Sequence, residues 1–144
     1  MTPEQAEAAV IGLFATIYPA TVDEMDFERA RSAFLRAMVD GWKLEYEKLP
    51  DRTLATYVRW LTSILTAGAR WQIVEQTETS VRFRFTACPW ATHFRAVGRP
   101  DVGRFFCDAD YPMVECFSKS LGFDRTRTLM DGDPCCDHHF FVRR

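Results

Sequence analysis

Apolar residues recur at helical spacing through the first half of the chain. Thr2-Pro3-Glu4-Gln5 has the form of a capping box with Pro in the first turn. Val10, Leu13, Phe14 and Ile17 follow it one helical turn at a time, and Tyr18-Pro19 predicts the stop. A second helix is expected after Thr21 and Glu24, with Phe27, Ala30, Phe34, Ala37, Met38 and Gly41 on one face and an end near Leu49-Pro50. Asp51 is placed to cap a third helix, whose stripe is Leu54, Tyr57, Val58, Leu61 and Leu65, with Ala67-Gly68 closing it. Each stripe reads as core-facing, because an apolar stripe opposite polar positions is what packs a helix onto a core.

From residue 69 the period shortens to two. Trp71 and Ile73, then Val81, Phe83 and Phe85, alternate with polar neighbours. The polar stretch 76–80 separates them as a hairpin requires, and Arg82 and Arg84 fall on the opposite face. Residues 89–97 and 101–121 predict two helices, and 123–130 and 135–143 two further strands around the turn Asp131-Gly132-Asp133-Pro134. The expected fold is α+β. A helical section, 1–68, packs on a four-stranded antiparallel sheet of ββααββ order, 69–144, and the two form one domain with no internal repeat or linker.

Composition narrows the function. At 144 residues with 47% hydrophobic content, the chain suits one core of ordinary size. Lys and Arg total 18 against 20 Asp and Glu, and no basic block of the kind that grips phosphate backbones is present, so nucleic acid is not an expected partner. No run of 18 apolar residues and no signal-peptide pattern appears, which predicts a cytoplasmic protein without a membrane role. Five cysteines, all between residues 88 and 136, make an odd count that argues against a disulfide framework and turns attention to thiol chemistry.

Cys88 stands just before Pro89, a residue that favours the first position of a helix, so the thiol is expected at an N-cap where the helix dipole lowers its pKa. The other reading of Cys88 is a small apolar residue closing a strand. Cys107 and Asp110, three apart in an expected helix, share a face and can offer a thiol and a carboxylate to one pocket. Cys116 points elsewhere. In the last strand, alternation puts Cys136, His138 and Phe140 on one side and Cys135, Asp137, His139 and Phe141 on the other. Adjacent histidines on a strand cannot chelate one ion from the same face, and no Cys-x-x-Cys or His-x-x-x-His spacing occurs, so no metal or other cofactor is expected. A thiol assisted by His138, His139 or His93 is chemically sensible, because imidazole exchanges a proton near neutral pH. An exposed pair of histidines fits the pattern equally well. Trp90, Phe94, Phe105, Phe106 and Tyr111 are candidates to wall a pocket or to fill the core. Arg95, Arg99 and Arg104 are candidates to meet a substrate carboxylate or to lie solvated at the surface.

Cys88-Pro89, Phe106-Cys107, Asp110, the run 123–129 (Phe-Asp-Arg-Thr-Arg-Thr-Leu), and Gly132-Asp133 before Cys136-Asp137 together resemble the L-2-amino-thiazoline-4-carboxylic acid hydrolase family. The resemblance is carried by the C-terminal half, and the helical first half is compatible with it. Members typically end in Gly-Asp, two variable residues and Cys-Asp-Phe-Arg-Phe, whereas here His138 and His139 replace the aromatic and the arginine. The C-terminal half is also similar to 4-vinyl reductase domains, small-molecule-binding α+β modules of which some sensor members hold zinc. The further zinc ligands of those members have no equivalent here, where Arg125 and Thr128 occupy the region.

The resemblance implies hydrolytic opening of an amidine-like carbon in a small cyclic substrate, giving an N-carbamoyl-cysteine in the named reaction. Cys107 or Cys88 is then the expected nucleophile, Asp110 or a histidine moves protons, and Cys136 supports them. Asp137, His138, His139 and His93 are expected to contact or position substrate. Two other readings stay open: a non-hydrolytic cyclase, isomerase or lyase using the same pocket, and a binding module that encloses a ligand without turning it over. A homodimer is compatible with the aromatic content.

Overall fold

The computed structural model describes residues 1–144. Helix α1 (Pro3–Asp23) starts on the expected capping box, in which Thr2 and Gln5 exchange bonds of 2.9 and 3.1 Å between side chain and backbone. It does not stop at Pro19. The ring removes one donor, but Ala15, Pro19 and Val22 are all buried, and their packing holds the helix through the break. Thr21 is therefore inside α1, and Asp26 caps α2 (Phe27–Tyr46) by accepting from the Arg29 N–H at 2.9 Å. Helix α3 (Leu54–Ile64) is capped by Thr53, with Asp51 two residues back accepting from the Thr53 N–H and hydroxyl. No helix is long and apolar enough to cross a membrane.

The hairpin of β1 (Arg70–Gln76) and β2 (Ser80–Ala87) joins β4 (Cys136–Val142) and β3 (Leu121–Asp124) in an antiparallel sheet ordered β1-β2-β4-β3. Val81 faces Phe140, Phe83 faces His138 and Phe85 faces Cys136 across the central pair, so these side chains share the inner face. Between β2 and β3 the expected first helix is α4 (Pro89–Ala96). The expected second is divided at Ala109 into α5 (Pro100–Asp108) and α6 (Asp110–Phe117). The predicted strand 123–130 is shorter. After Asp124 the chain leaves the sheet, and Leu129–Asp131 form a single 3₁₀ turn closed by Gly132 at φ 92°.

Two apolar clusters fill the interior. One joins Tyr46, Tyr57 and Trp60 to Phe83, Phe117 and Phe140. The other joins Ala15, Phe94, Val102, Phe105 and Met130. Phe34 and Leu129 pack against both, and so mark the seam between them. At this seam α5 approaches the 3₁₀ turn through Gly103, where a Cβ would lie 2.8 Å from the Phe94 Cβ and against the Met130 sulfur. Gly103→Ala should therefore destabilise by about 1–3 kcal/mol through overpacking. That exceeds the gain of up to about 1 kcal/mol that alanine offers within a helix, and urea denaturation reads the difference.

Candidate active site

Asp110 and Arg125 form the polar centre of the seam. The break at Ala109 ends α5 on Cys107 and Asp108 and starts α6 on Asp110, so three polar or thiol positions within four residues converge on the chain that leaves β3. Arg125 enters from that chain with its side chain 3% exposed. Its Nη1 donates to the Cys107 carbonyl at 3.0 Å and to Asp110 Oδ2 at 3.2 Å, while Nη2 lies 3.8 Å from Asp108. The rings of Tyr111 and Phe123 lie within 5.8 Å of the guanidinium. Asp108 is braced in turn by Arg31 at 3.1 Å and Arg104 at 3.0 Å. Burial pushes the Asp110 carboxyl up to about 7, against the pull of Arg125 and with help from the Asp108 charge. One edge stays open: 26% of the Asp110 side chain is exposed.

His138 reaches the same carboxylate from the inner face of β4, with Nε2 3.9 Å from Asp110 Oδ2. Its ring packs between Phe85 and Phe123, at 4.8 and 5.2 Å between centroids. Burial, reinforced by the Arg125 charge, lowers its pKa to about 3, so the imidazole is neutral at physiological pH. The native state binds fewer protons at His138 than the unfolded chain between about pH 6.5 and 3, and this group's contribution to stability is lost as pH falls through that window. His138→Phe should accordingly resist acid better than the parent protein, with a higher Tm at pH 4.5. Equal acid sensitivity would show that His138 titrates normally.

Two thiols complete the seam. Cys136 Sγ accepts from the Leu129 N–H at 3.2 Å and lies 3.7 Å from the Thr128 hydroxyl, and Cys107 Sγ lies 3.8 Å from the same oxygen. Burial raises Cys136, and it pushes Cys107 up to about 12 although Arg125 pulls it down. Both are neutral thiols in the resting protein. Cys88 is the N-cap of α4, with Pro89 following, as the sequence predicts. Its pKa is raised rather than lowered. Desolvation outweighs the favourable N–H groups of Ala91 and Trp90, so the helix end does not make this thiol a thiolate. No three His, Cys, Asp or Glu side chains gather in a way that could hold a metal ion.

A family model described as L-2-amino-thiazoline-4-carboxylic acid hydrolase matches residues 5–140, nearly the whole chain. The chain belongs to that family. None of the curated proteins matches it. Among solved structures it is similar to a trafficking protein particle complex subunit 3 from Naegleria fowleri covalently bound to palmitic acid. The TM-score is 0.54 and the identity 9%, over 94% of this chain and 96% of the other, a likeness of fold alone. Family membership supports a hydrolase-like function on a small molecule, extending the resemblance from the C-terminal half to the helical first half.

Within this thiazoline hydrolase family member, the structure brings together Cys107, Asp110, Cys136 and His138. It places the other predicted residues elsewhere. His93 shares a shallow cleft of about 160 Å³ with Cys88, Glu4 and Thr92, under the close approach of Gly12 in α1. His139 lies on the outer face of the sheet, 2.9 Å from the Ser80 hydroxyl and 3.5 Å from Asp124. Asp137 is also on the outer face and binds the backbone at 126–127. The arginines expected to meet a substrate carboxylate are engaged in the fold: Arg99 with Asp23 and Asp101, Arg104 with Asp108 and Asp131, and Arg95 with the Leu129 carbonyl. Phe94 and Phe105 are core, and Trp90 stacks on Phe106 at 4.1 Å. Arg125, Thr128 and Asp108 join this candidate site by their contacts and carry no role in the sequence reading. The available signal was the run Arg125-x-x-Thr128 within the family-like segment, which alternation misread as a strand.

Proposed function

We propose that this chain hydrolyses a small cyclic amidine of the thiazoline class, with Asp110 as the group that moves the proton. The observation that carries the reading is a carboxyl with a pKa near 7, fixed by a buried arginine and opening by one edge to solvent. Such a group both accepts and returns a proton at neutral pH. Water adds to the amidine carbon and gives one proton to Asp110. The ring C–S bond then breaks: the hydroxyl left on carbon becomes the carbonyl as its proton passes to the amidine nitrogen, and the departing sulfur takes the first proton back from Asp110, leaving a carbamoyl product and a free thiol. Arg125 positions the carboxylate, and neutral His138 offers an N–H or a lone pair without adding charge.

Water is favoured over a thiol as the attacking group because Cys107, Cys136 and Cys88 are all held above the ordinary thiol pKa. A second reading keeps Cys107 as nucleophile. It is supported by the convergence of Cys107 and Cys136 on Thr128, and it requires substrate charge to lower the thiol pKa on binding. Turnover of 2-amino-thiazoline-4-carboxylate by Cys107→Ser separates them. Direct water attack predicts kcat within about tenfold of the parent, whereas a thiol nucleophile predicts a loss of about a thousandfold or more and a covalent adduct in the parent by intact-protein mass spectrometry. Absence of any product from the parent protein would overturn the hydrolase reading itself.

A further inference from the structure

The face of the sheet turned away from the helices carries a second cluster that the hydrolytic site does not use. The two-residue repeat of β2 sets Arg82 and Arg84 on this face, both exposed. Asp137 of β4 stands opposite Arg84 in the register, where a carboxylate would ordinarily serve as its cross-strand counter-ion. Asp137 is engaged elsewhere. It accepts the Thr126 N–H at 2.9 Å, the Arg127 N–H at 2.7 Å and the Thr126 hydroxyl. Burial opposes its charge, but these donors outweigh burial and hold its pKa below the usual carboxylate value.

The same bonds pin the 126–127 turn, so that Arg127 joins Arg82 and Arg84 around a cavity of about 320 Å³ that Val74 and Cys135 also line. Arg82 is paired with Glu75 at 3.4 Å, whereas neither Arg84 nor Arg127 pairs with any carboxylate. Arg84 and Arg127 repel each other across this cavity, because the ionised Asp137 that also lines it spends its oxygens on the 126–127 turn and pairs with neither guanidinium. An oxyanion between them relieves the repulsion and matches their planar forks with paired hydrogen bonds. The volume is that of a small-ligand site.

We propose that this cavity binds the phosphate or carboxylate group of a small molecule through Arg84 and Arg127, with Arg82 at the rim and Val74 as an apolar wall. The arginines and the hydrolytic centre lie on opposite faces of the sheet: the His138 imidazole reaches Asp110 on the inner side of β4, Asp137, its neighbour, turns to the outer side, and Phe83 and His138 only border the cavity. The pinned turn makes it a built site, because Asp137 both orders Arg127 and leaves Arg84 unpaired.

Calorimetric titration of the full chain with inorganic phosphate, phenyl phosphate and benzoate at fixed low ionic strength tests this. Saturable one-to-one binding is expected, weakened about tenfold or more in Arg84→Gln/Arg127→Gln, with Arg84→Lys/Arg127→Lys between the two because charge survives without the fork. Tighter binding of phenyl phosphate than of inorganic phosphate assigns the site to a phosphorylated small molecule, equal binding to free phosphate, and preference for benzoate to a carboxylate. Amide shifts of the parent protein under phosphate provide a readout that does not depend on the variants folding, with the largest changes expected at Arg84, Thr126 and Arg127. No saturable binding of any probe, undiminished binding by a folded glutamine variant, or shifts centred on other residues would overturn the proposal.

Discussion

Asp110→Asn should lower kcat/KM for 2-amino-thiazoline-4-carboxylate by about 10²–10⁴-fold, the usual contribution of a positioned acid–base group. Asparagine keeps the shape and can still accept the hydrogen bond that Arg125 donates at 3.2 Å, but it cannot take a proton. The parent profile should rise with pH through about 7, where Asp110 loses its proton and becomes a base, and the variant should lack this limb. A variant that retained the limb, or that turned over within about threefold of the parent, would assign proton transfer to another group, since loss of a true general base has a far larger effect.

Arg125→Met should be the most damaging single change to the fold at this site, at about 1–3 kcal/mol by urea denaturation, the cost of leaving buried polar groups without their donor. The guanidinium is 3% exposed and bonds both Asp110 and the Cys107 carbonyl, with Asp108 nearby, so its loss leaves a carboxylate and a carbonyl without their donor. Asp108 keeps Arg31 and Arg104, and the damage falls mainly on Asp110. With the lowering influence of Arg125 gone, the Asp110 pKa should climb further and the rising limb of the pH profile should move to higher pH. Arg125→Lys retains the charge but reaches fewer of these acceptors, and should lie between. A folded Arg125→Met protein with unchanged stability and an unchanged pH limb would remove Arg125 from the site.

Much of the candidate site's geometry was legible because strand alternation is a local rule. Placing Cys136 and His138 on one face and Asp137 and His139 on the other needed only the period of two, and the register of β4 against β2 bears it out. Cys88 before Pro89 is likewise an N-cap by position, with no hydrogen bond from its side chain, while its burial fits the other reading, a small apolar residue closing a strand. Its electrostatics were not legible, because the dipole of the helix end is local whereas desolvation depends on everything packed around the thiol. The pair Cys107 and Asp110 was found by helical spacing, although the helix breaks between them. They meet through the Arg125 guanidinium, which contacts the carbonyl of one and the carboxylate of the other.

The sequence by itself determined the α+β class, the hairpin, the capping box at Thr2 and the family, since these rest on periodicity, short-range turn chemistry and motif spacing. Only the tertiary structure decided that α1 runs through Pro19, that the segment after Asp124 leaves the sheet, and that Arg125 is buried among acids while Arg84 has no counter-ion. The physical reason is common to all four. Each depends on the balance between burying a group and pairing it, and that balance is set by neighbours distant in the chain.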